Sequence, residues 1–391
     1  MKSPHSSPFP DFMNIDELLS DEQRETMLSA RELVQTHLEP EIAANYEAGS
    51  FPAEKVPLLG KSKLIGSNLS GYGLPAYDEL TYGLIMRELE RCDSAFRSLA
   101  SVQGSLVMFP IFKYGSEQQK DEWLEKLGAG EAIGSFALTE AHGGSDPGAM
   151  ETQAEDCGTH WLINGAKRWV TNGSICDVFI LWAKTSDGIR AFLCPRETEG
   201  VEFTEIKNKM SLRASVSSEC TLEQVRLPKG AVLPGAKGLG AALNCLNQAR
   251  YGIAWGALGA AESCFDEATA YADERILFGK SLSQMQITQG KLADMCLAIS
   301  QGQLLALRVA QLKNSGSVLP GHISLAKQGN VKMALDVART CREILGANGI
   351  LLDYKSMRHS CNLETVFTYE GTHDIHRLVV GQGITGKAAF S

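Results

Sequence analysis

Hydrophobic periodicity along this chain predicts an α+β multidomain fold in three parts, helical, then β, then helical again. Three observations carry it. Apolar residues recur at helical spacing up to about residue 127, the period shortens to that of strands between about 135 and 227, and three long helical stretches follow from about 241. Strands and helices never alternate as βαβ units, so a doubly wound dinucleotide-binding sheet is not expected. The 391 residues, 44% hydrophobic and 21% charged, suffice for two or three domains. The divisions fall at 1–133, 134–236 and 237–391.

The first helix opens at Ser20, with Gln23 three positions on as a capping box, and carries Met27, Ala30, Leu33, Val34, Leu38 and Ile42 as its apolar stripe. Further helices are predicted at about 76–92, 95–114 and, behind a second box at Ser116 and Gln119, 117–127. Short β-branched or aromatic runs then mark strands at 135–139, 161–163, 167–170, 178–183, 191–194, 201–206 and 220–227, which makes the middle part a β-barrel or sandwich domain. Asn164-Gly165, between two of these runs, is the strongest short hairpin signal. The Gly-rich stretch 233–240, with Pro234, reads as a loop. Helices at about 241–275, 286–314 and 325–345 have short connections, which makes the last part an antiparallel, four-helix-bundle domain.

Composition excludes several classes. A net charge of −9 without a basic block argues against nucleic-acid binding, which needs clustered Lys and Arg. No apolar run approaches the ~20 residues of a membrane span, so no membrane partner is expected. Met1 to Asn14 holds one lysine and no apolar core, unlike a signal or transit peptide. Ten cysteines without a Cys-x-x-Cys pair indicate neither a zinc site nor a redox pair, but reduced thiols in a bacterial cytoplasm or, after loss of a presequence, a mitochondrial matrix. The partner expected is a small molecule.

Five motifs bear on chemistry. Gly381, Gly383 and Gly386 spell a formal dinucleotide fingerprint, but no βαβ unit fits before Ser391. His359, His373 and His376 lack the spacing of metal ligands and read as helix-end hydrogen-bonding residues; no metal is expected. Gly143-Gly144-Ser145-Asp146 follows a strand and, with Thr139 and Glu140, presents flexible amides suited to a flat heterocycle or phosphate, or else forms an ordinary polar loop. Arg97 heads a narrow polar stripe with Ser98, Ser101 and Ser105 on an apolar helix. It has two readings: a fork for a ligand carboxylate, or an internal partner of Glu90. Lastly, Tyr369-Glu370-Gly371-Thr372 puts one carboxylate on a Gly turn, with Thr372 placed to cap the helix that follows.

Together these segments resemble the acyl-CoA dehydrogenase family of flavoproteins over essentially the whole chain. Phe136-Ala137-Leu138-Thr139-Glu140 with Gly144-Ser145-Asp146 resembles its flavin loop, and Trp169-Val170-Thr171-Asn172 its second flavin strand. Arg275 with Phe278-Gly279 and Gln286 is similar to the segment that reaches the flavin of a neighbouring subunit, and Glu343 to Gly349 to its companion. Within the family, 88–108, 245–256 and 369–376 resemble the glutaryl-CoA dehydrogenases. Ala141-His142, where that subgroup usually has Pro-Asn, and Gly173 in place of a serine depart from the pattern.

The resemblance implies FAD, an acyl-CoA thioester substrate, an electron-transfer flavoprotein as acceptor and a homotetramer. It makes Glu370 the catalytic base. Arg97 and Ser98 would hold a distal substrate carboxylate, with Ser145, Arg250 and Gly371 also at the substrate. The flavin positions would be Phe136, Leu138, Thr139, Gly144, Ser145, Trp169 and Thr171, then Arg275, Phe278, Gln286, Glu343, Leu345, Gly346 and Thr372. The implied reaction is oxidation of glutaryl-CoA and its decarboxylation to crotonyl-CoA. The alternatives are a short-chain acyl-CoA oxidase, which shares the Tyr-Glu-Gly-Thr ending, a non-decarboxylating short-chain acyl-CoA dehydrogenase, and a non-enzymatic DNA-associated homologue, which the net charge of −9 and the presence of Glu370 oppose.

Overall fold

A computed structural model describes residues 11–389; the leader reading of Met1 to Asn14 lies mostly outside them. The first part is built from helices α1 (Asp21–Leu33), α2 (Glu39–Ala48), α3 (Val56–Lys61) and α4 (Glu79–Cys92), then α5 (Ser94–Ser101), α6 (Phe109–Tyr114) and α7 (Glu117–Gly128). A two-strand ladder, β1 (Ser70–Gly71) and β2 (Leu74–Pro75), sits between α3 and α4. Both capping boxes form: Ser20 and Ser116 each accept from the N–H three residues on, and Gln23 and Gln119 reach back. The long helices are each interrupted by a widened turn, at Val34–Leu38 and at Val102–Met108. The second of these precedes Pro110, which has no N–H to give the helix.

Contrary to the hydropathy reading, Ser94–Tyr114 is long and apolar enough to cross a bilayer by length and composition alone. Of its most apolar window, 89% is buried inside the protein, so its apolarity serves the core.

The middle part carries β3 (Gly134–Ala137), β4 (Gln153–Asp156), β5 (His160–Thr171), β6 (Val178–Thr185), β7 (Gly188–Pro195), β8 (Val201–Glu205), β9 (Ser217–Pro228) and β10 (Val232–Lys237). They join in one sheet in the order β10-β7-β6-β4-β5-β9-β8, with β3 parallel to β6. The sheet folds over on itself: Phe179 of β6 meets Phe203 of β8 at 5.2 Å between ring centroids, although β4, β5 and β9 lie between them in the sheet order. The middle part is thus a single sheet that curls back on itself, within the barrel or sandwich expected.

Two expectations are corrected here. Asn164-Gly165 is no hairpin turn but lies within β5, where Asn164 pairs with Gln153 and the register with β9 shifts between Ile163 and Gly165. The Asn164 Oδ1 accepts from the N–H of Gln224 at 2.8 Å, so the bulge uses the polar pair that would otherwise make a turn. Residues 232–237 are likewise a strand rather than a loop; β10 pairs only with β7, and an edge strand accommodates Pro234.

The last part holds α8 (Leu239–Glu274), a small ladder of β11 (Ile276–Leu277) and β12 (Lys280–Ser281), α9 (Gln286–Asn314), α10 (Pro320–Ile344), α11 (Ser356–Thr368) and α12 (His373–Thr385). Helix α10 starts five residues before the expected position because Pro320 suits a first helical turn. Helix α8 packs against α10 and α9 and also against α4, so the two helical parts share one contact. Gly256 and Gly259 make the α4–α8 approach possible. A methyl at Gly256 would overlap the Glu90 carboxylate, and one at Gly259 the Arg87 carbonyl.

Buried charge ties the parts together. Glu88 accepts from Arg31 twice at 2.9 Å and pairs with Arg87 and Arg91; burial raises its pKa, but these guanidiniums overcome that and hold it at about 2. Asp93 accepts from Arg358 and Asn362 at 2.9 Å each, while Asn362 Oδ1 takes the N–H of Leu212 at 2.8 Å. One carboxylate thus joins segments of all three parts.

Candidate active site

Glu370 sits in the short turn between α11 and α12, at a left-handed φ of +53°, followed by Gly371 at +96°. Helix α12 begins there because Thr372 Oγ1 accepts the Ile375 N–H at 3.2 Å, the cap expected from the sequence. Only glycine fits at 371, where a Cβ would lie 2.9 Å from His376 Nε2. A left-handed non-glycine residue costs of order 1–3 kcal/mol unless its surroundings fix it, and here the carbonyls of Tyr369, Glu370 and Gly371 are each held by a cationic side chain. Lys327 Nζ donates to Tyr369 O at 3.1 Å and Gly371 O at 3.0 Å, and Arg250 Nε donates to Glu370 O at 2.7 Å.

The carboxylate itself is left unbound. Glu370 as a residue is half-buried, yet its Oε2 is shut off from solvent and makes no hydrogen bond. Burial pushes its pKa up to about 7, against the pull of Arg97, Arg250 and Lys327. A carboxylate so placed can take a proton near neutral pH. Lys327 is lowered to about 7, by burial first, with Glu370 opposing. His376, lowered to about 3 by burial and then by Lys327 and Arg250, is neutral and bonds Ser324 Oγ at 3.0 Å, whereas His359 is buried within α11 with neither ring nitrogen hydrogen-bonded, unlike the helix-end hydrogen-bonding residue expected.

Arg97 is fully buried. Its Nε donates to Glu90 Oε2 at 2.6 Å, its Nη2 donates to the Tyr369 hydroxyl, and its Cζ stands 5.5 Å from the Tyr369 ring centroid. Glu90 takes a further bond from Ser94 Oγ at 2.6 Å. The internal pairing with Glu90 is therefore real, and the same arginine lies beside the base through Tyr369. Neither bond uses Nη1. Ser98 is buried next to it; Ser101 Oγ is buried with no partner, and Ser105 Oγ meets the Tyr82 hydroxyl at 3.0 Å. The serine stripe does not simply bond its own helix.

A second group forms where β3 runs beside the end of β5. Ser135 Oγ donates to Thr171 O at 2.5 Å, Asn172 Nδ2 to Gly134 O at 3.2 Å, Lys167 Nζ to Leu138 O at 3.1 Å and the Arg168 N–H to Thr139 O at 2.8 Å. Phe136 and Leu138 are buried, and Thr139 and Thr171 half-buried. Trp169 stands out 56% exposed at a φ of +61°. Gly144 and Ser145 are exposed, with open space around Gly144. Glu140 differs from its reading as a presented residue. It turns inward, accepting from the N–H groups of Glu151 and Thr152, the Thr152 hydroxyl and Lys167 Nζ at 2.7 Å.

The helix of Arg97 links the two groups. Gln103 donates to the carbonyls of Leu127 and Ala132 and accepts from the N–H of Gly134, the first residue of β3. By contrast, Arg275, Phe278, Gln286, Glu343 and Gly346 lie exposed on the C-terminal part, with Phe278 at 97% and a φ of +51°. Leu345 is buried in the C-terminal core, and Glu343 pairs with Lys291 at 3.0 Å. Among the described residues none of these bonds to either group. Sequence reasoning missed Lys327. The signal was present: 327 falls on the buried stripe of Ile323, Ala326, Asn330, Val331 and Ala334, where a lysine needs a reason.

Three family descriptions cover the chain: acyl-CoA dehydrogenase N-terminal domain at 20–131, middle domain at 135–225 and C-terminal domain at 236–385. The chain belongs to the acyl-CoA dehydrogenase family. It is 35% identical over 363 residues to the mitochondrial short-chain specific acyl-CoA dehydrogenase of Bos taurus, covering 90% of this chain and 87% of that protein. A glutaryl-CoA dehydrogenase of Mycobacterium smegmatis, solved in complex with FADH2, superposes with a TM-score of 0.97 at 47% identity, covering 99% of this chain and all of that one. The butyryl-CoA dehydrogenase of Megasphaera elsdenii gives 0.90 at 29% identity, covering 94% and 98%. One backbone thus serves relatives named for dicarboxylic and monocarboxylic substrates, so side chains must decide between them.

Proposed function

We propose that this acyl-CoA dehydrogenase oxidises glutaryl-CoA and releases carbon dioxide, with Glu370 as base. The observation that carries the proposal is the Glu370 carboxylate, its Oε2 shut off from solvent and unbonded, one residue from Tyr369, whose hydroxyl accepts from the buried Arg97. FAD is the cofactor, as in the Mycobacterium smegmatis relative. The residues fit it: the exposed Trp169, the half-buried Thr139 and Thr171 and the open backbone at Gly144 offer a flat ring an apolar face and hydrogen-bonding edges. Held by these residues, FAD would supply the acceptor for the hydride that leaves the substrate β-carbon.

The chain supplies the remaining steps. Glu370 removes the α-proton, a task worth ~10²–10⁴-fold for a well-placed base with a pKa near working pH. Arg97 and Ser98 hold the distal carboxylate until oxidation conjugates the chain, after which that carboxylate departs as carbon dioxide. Protonated Glu370 returns its proton to the γ-carbon, which yields crotonyl-CoA. Electrons then pass to an electron-transfer flavoprotein. The assembly we propose is a homotetramer, with the exposed Arg275–Gln286 and Glu343–Gly346 segments reaching a neighbouring subunit.

A second reading, a short-chain dehydrogenase for monocarboxylic thioesters, rests on the Glu90–Arg97 ion pair, which already balances the arginine charge without a substrate carboxylate. Anaerobic mixing of the FAD-loaded protein with glutaryl-CoA or butyryl-CoA, following flavin bleaching and released carbon dioxide together, separates the readings. Glutaryl-CoA should bleach faster and give one carbon dioxide per flavin reduced. Faster bleaching by butyryl-CoA would transfer the assignment to the second reading.

A further inference from the structure

Lys327 has a place in the fold that the reaction above does not use. It lies on α10 with a relative exposure of 1%, surrounded on its own helix by buried Ile323, Ala326, Asn330, Val331 and Ala334. An ammonium taken from water costs several kcal/mol unless paired, yet among the described residues no carboxylate lies within ion-pairing distance of Nζ. Its hydrogen bonds go instead to two carbonyls, Tyr369 O at 3.1 Å and Gly371 O at 3.0 Å. These are the peptide oxygens on either side of Glu370. An apolar side chain would pack the α10 stripe without that cost, so the lysine answers to the turn rather than to the helix.

We propose that Lys327 is a positioning residue for Glu370, clasping the two flanking carbonyls so that the left-handed turn keeps the carboxylate aimed into the site. The inference rests on Glu370 being the base, as proposed above. The clasp complements Arg250, which holds the carbonyl between. Without Lys327, the two carbonyls flanking Glu370 lose their side-chain partner, and Arg250 on the carbonyl between, Arg97 on the Tyr369 hydroxyl and the Thr372 cap are left to restrain a turn in which Glu370 holds an unfavourable φ of +53°. A 1 Å displacement of a reacting group can cost ~10²-fold in rate. The lysine also adds a positive charge near the carboxylate. The other charged or titratable groups around the pair are Arg97 from α5, Arg250 from α8, Tyr82 from α4, Tyr369 in the turn itself, and His373 and His376 from α12.

The test is Lys327→Met in the full FAD-loaded chain, with three readouts. The first is the rate of anaerobic flavin bleaching by butyryl-CoA and by glutaryl-CoA. The second is calorimetric binding of crotonyl-CoA. The third is a pH titration of the Glu370 carboxyl stretch by difference infrared spectroscopy against Glu370→Gln. The expected result is bleaching slower by about 100-fold for both thioesters, crotonyl-CoA affinity held within about threefold, an upward-shifted Glu370 midpoint, and partial rescue by Lys327→Arg, which keeps two donors. Bleaching within about threefold of the unmodified rate would overturn the clasp, as would equal losses of rate and of crotonyl-CoA binding with an unmoved midpoint. If the Met variant does not fold, Lys327→Gln, one atom shorter but still a donor, takes its place: tenfold slower bleaching or more supports the clasp, and any smaller loss overturns it. Should the unmodified protein bleach with neither thioester, the functional reading fails, and the infrared midpoint alone decides the inference.

Discussion

Replacing Glu370 by Gln removes the only carboxylate of the turn while keeping its shape, and the structure gives the change a pH-dependent cost that can be worked out. The carboxyl is held near 7 in the folded protein, mainly by burial, against an ordinary value of 4.5. Holding the proton over that interval corresponds to about 3 kcal/mol. Below about pH 4.5 the group is protonated in folded and unfolded chains alike, and the substitution is neutral through this mechanism. Between about 4.5 and 7 the unfolded chain gives up its proton while the folded one retains it, so the unmodified protein loses stability as pH rises. Above about 7 the loss is complete. Glu370→Gln should therefore be the more stable form, by less than about 1 kcal/mol at pH 5 and by about 3 kcal/mol at pH 8. Guanidinium unfolding of both proteins at the two pH values measures this directly. A stability difference that does not change between pH 5 and pH 8 would refute the claim that the base is charged at the expense of the fold. The same carboxyl should set the lower limb of the pH–rate profile, with flavin bleaching rising through about pH 7 in the unmodified protein and absent in the variant.

Two further outcomes follow from the ion pairs. Arg97→Met should lower kcat/KM for glutaryl-CoA by about 100-fold more than for butyryl-CoA, the scale of a charged hydrogen bond at 1.5–3 kcal/mol; equal losses for both thioesters would sink the carboxylate clamp. Because the variant strands Glu90, it is best compared with Glu90→Gln/Arg97→Met. Glu140→Ala should destabilise the β part by about 3–5 kcal/mol, since it leaves the ammonium of Lys167 buried with only the Leu138 carbonyl as a partner. Burial raises the Glu140 carboxyl, but the Glu151 N–H, Lys167 and Thr152 together bring it to about 2. Its stabilisation is thus full above about pH 4.5 and lost as pH falls through about 2, and acid unfolding of the two proteins should converge there.

Sequence reasoning succeeded where the physics is local. Ser20 with Gln23, Ser116 with Gln119 and Thr372 with the helix after it are caps, and a cap is decided within three residues. It failed where a distant partner decides. Nothing near Asn164-Gly165 announces that Gln153–Asp156, a polar segment without alternation, will pair with it and draw it into a strand. Pro234 and Gly235 read as loop until their strand is seen to be an edge. The site divides in the same way. The Tyr-Glu-Gly-Thr turn is legible on its own, but Arg250, 120 residues from Glu370, and Lys327 and Arg97 become its neighbours only after three helices have packed. The burial that tunes Glu370 has no counterpart in the residue letters.

The Asp93 joint has a consequence for how the chain is made. Asp93 leaves the ribosome 265 residues before Arg358, its buried counter-charge. At the ~5–20 residues per second of synthesis, the gap lasts roughly ten seconds to a minute. Throughout that time the first helical part holds a carboxylate whose native surroundings are dry and whose arginine does not yet exist, so it cannot close its core early and wait. Final consolidation belongs to the end of translation, when the last helices arrive. A nascent chain halted before residue 358 should accordingly be far more sensitive to protease, and more dependent on holding chaperones, than its finished helices and sheet would suggest.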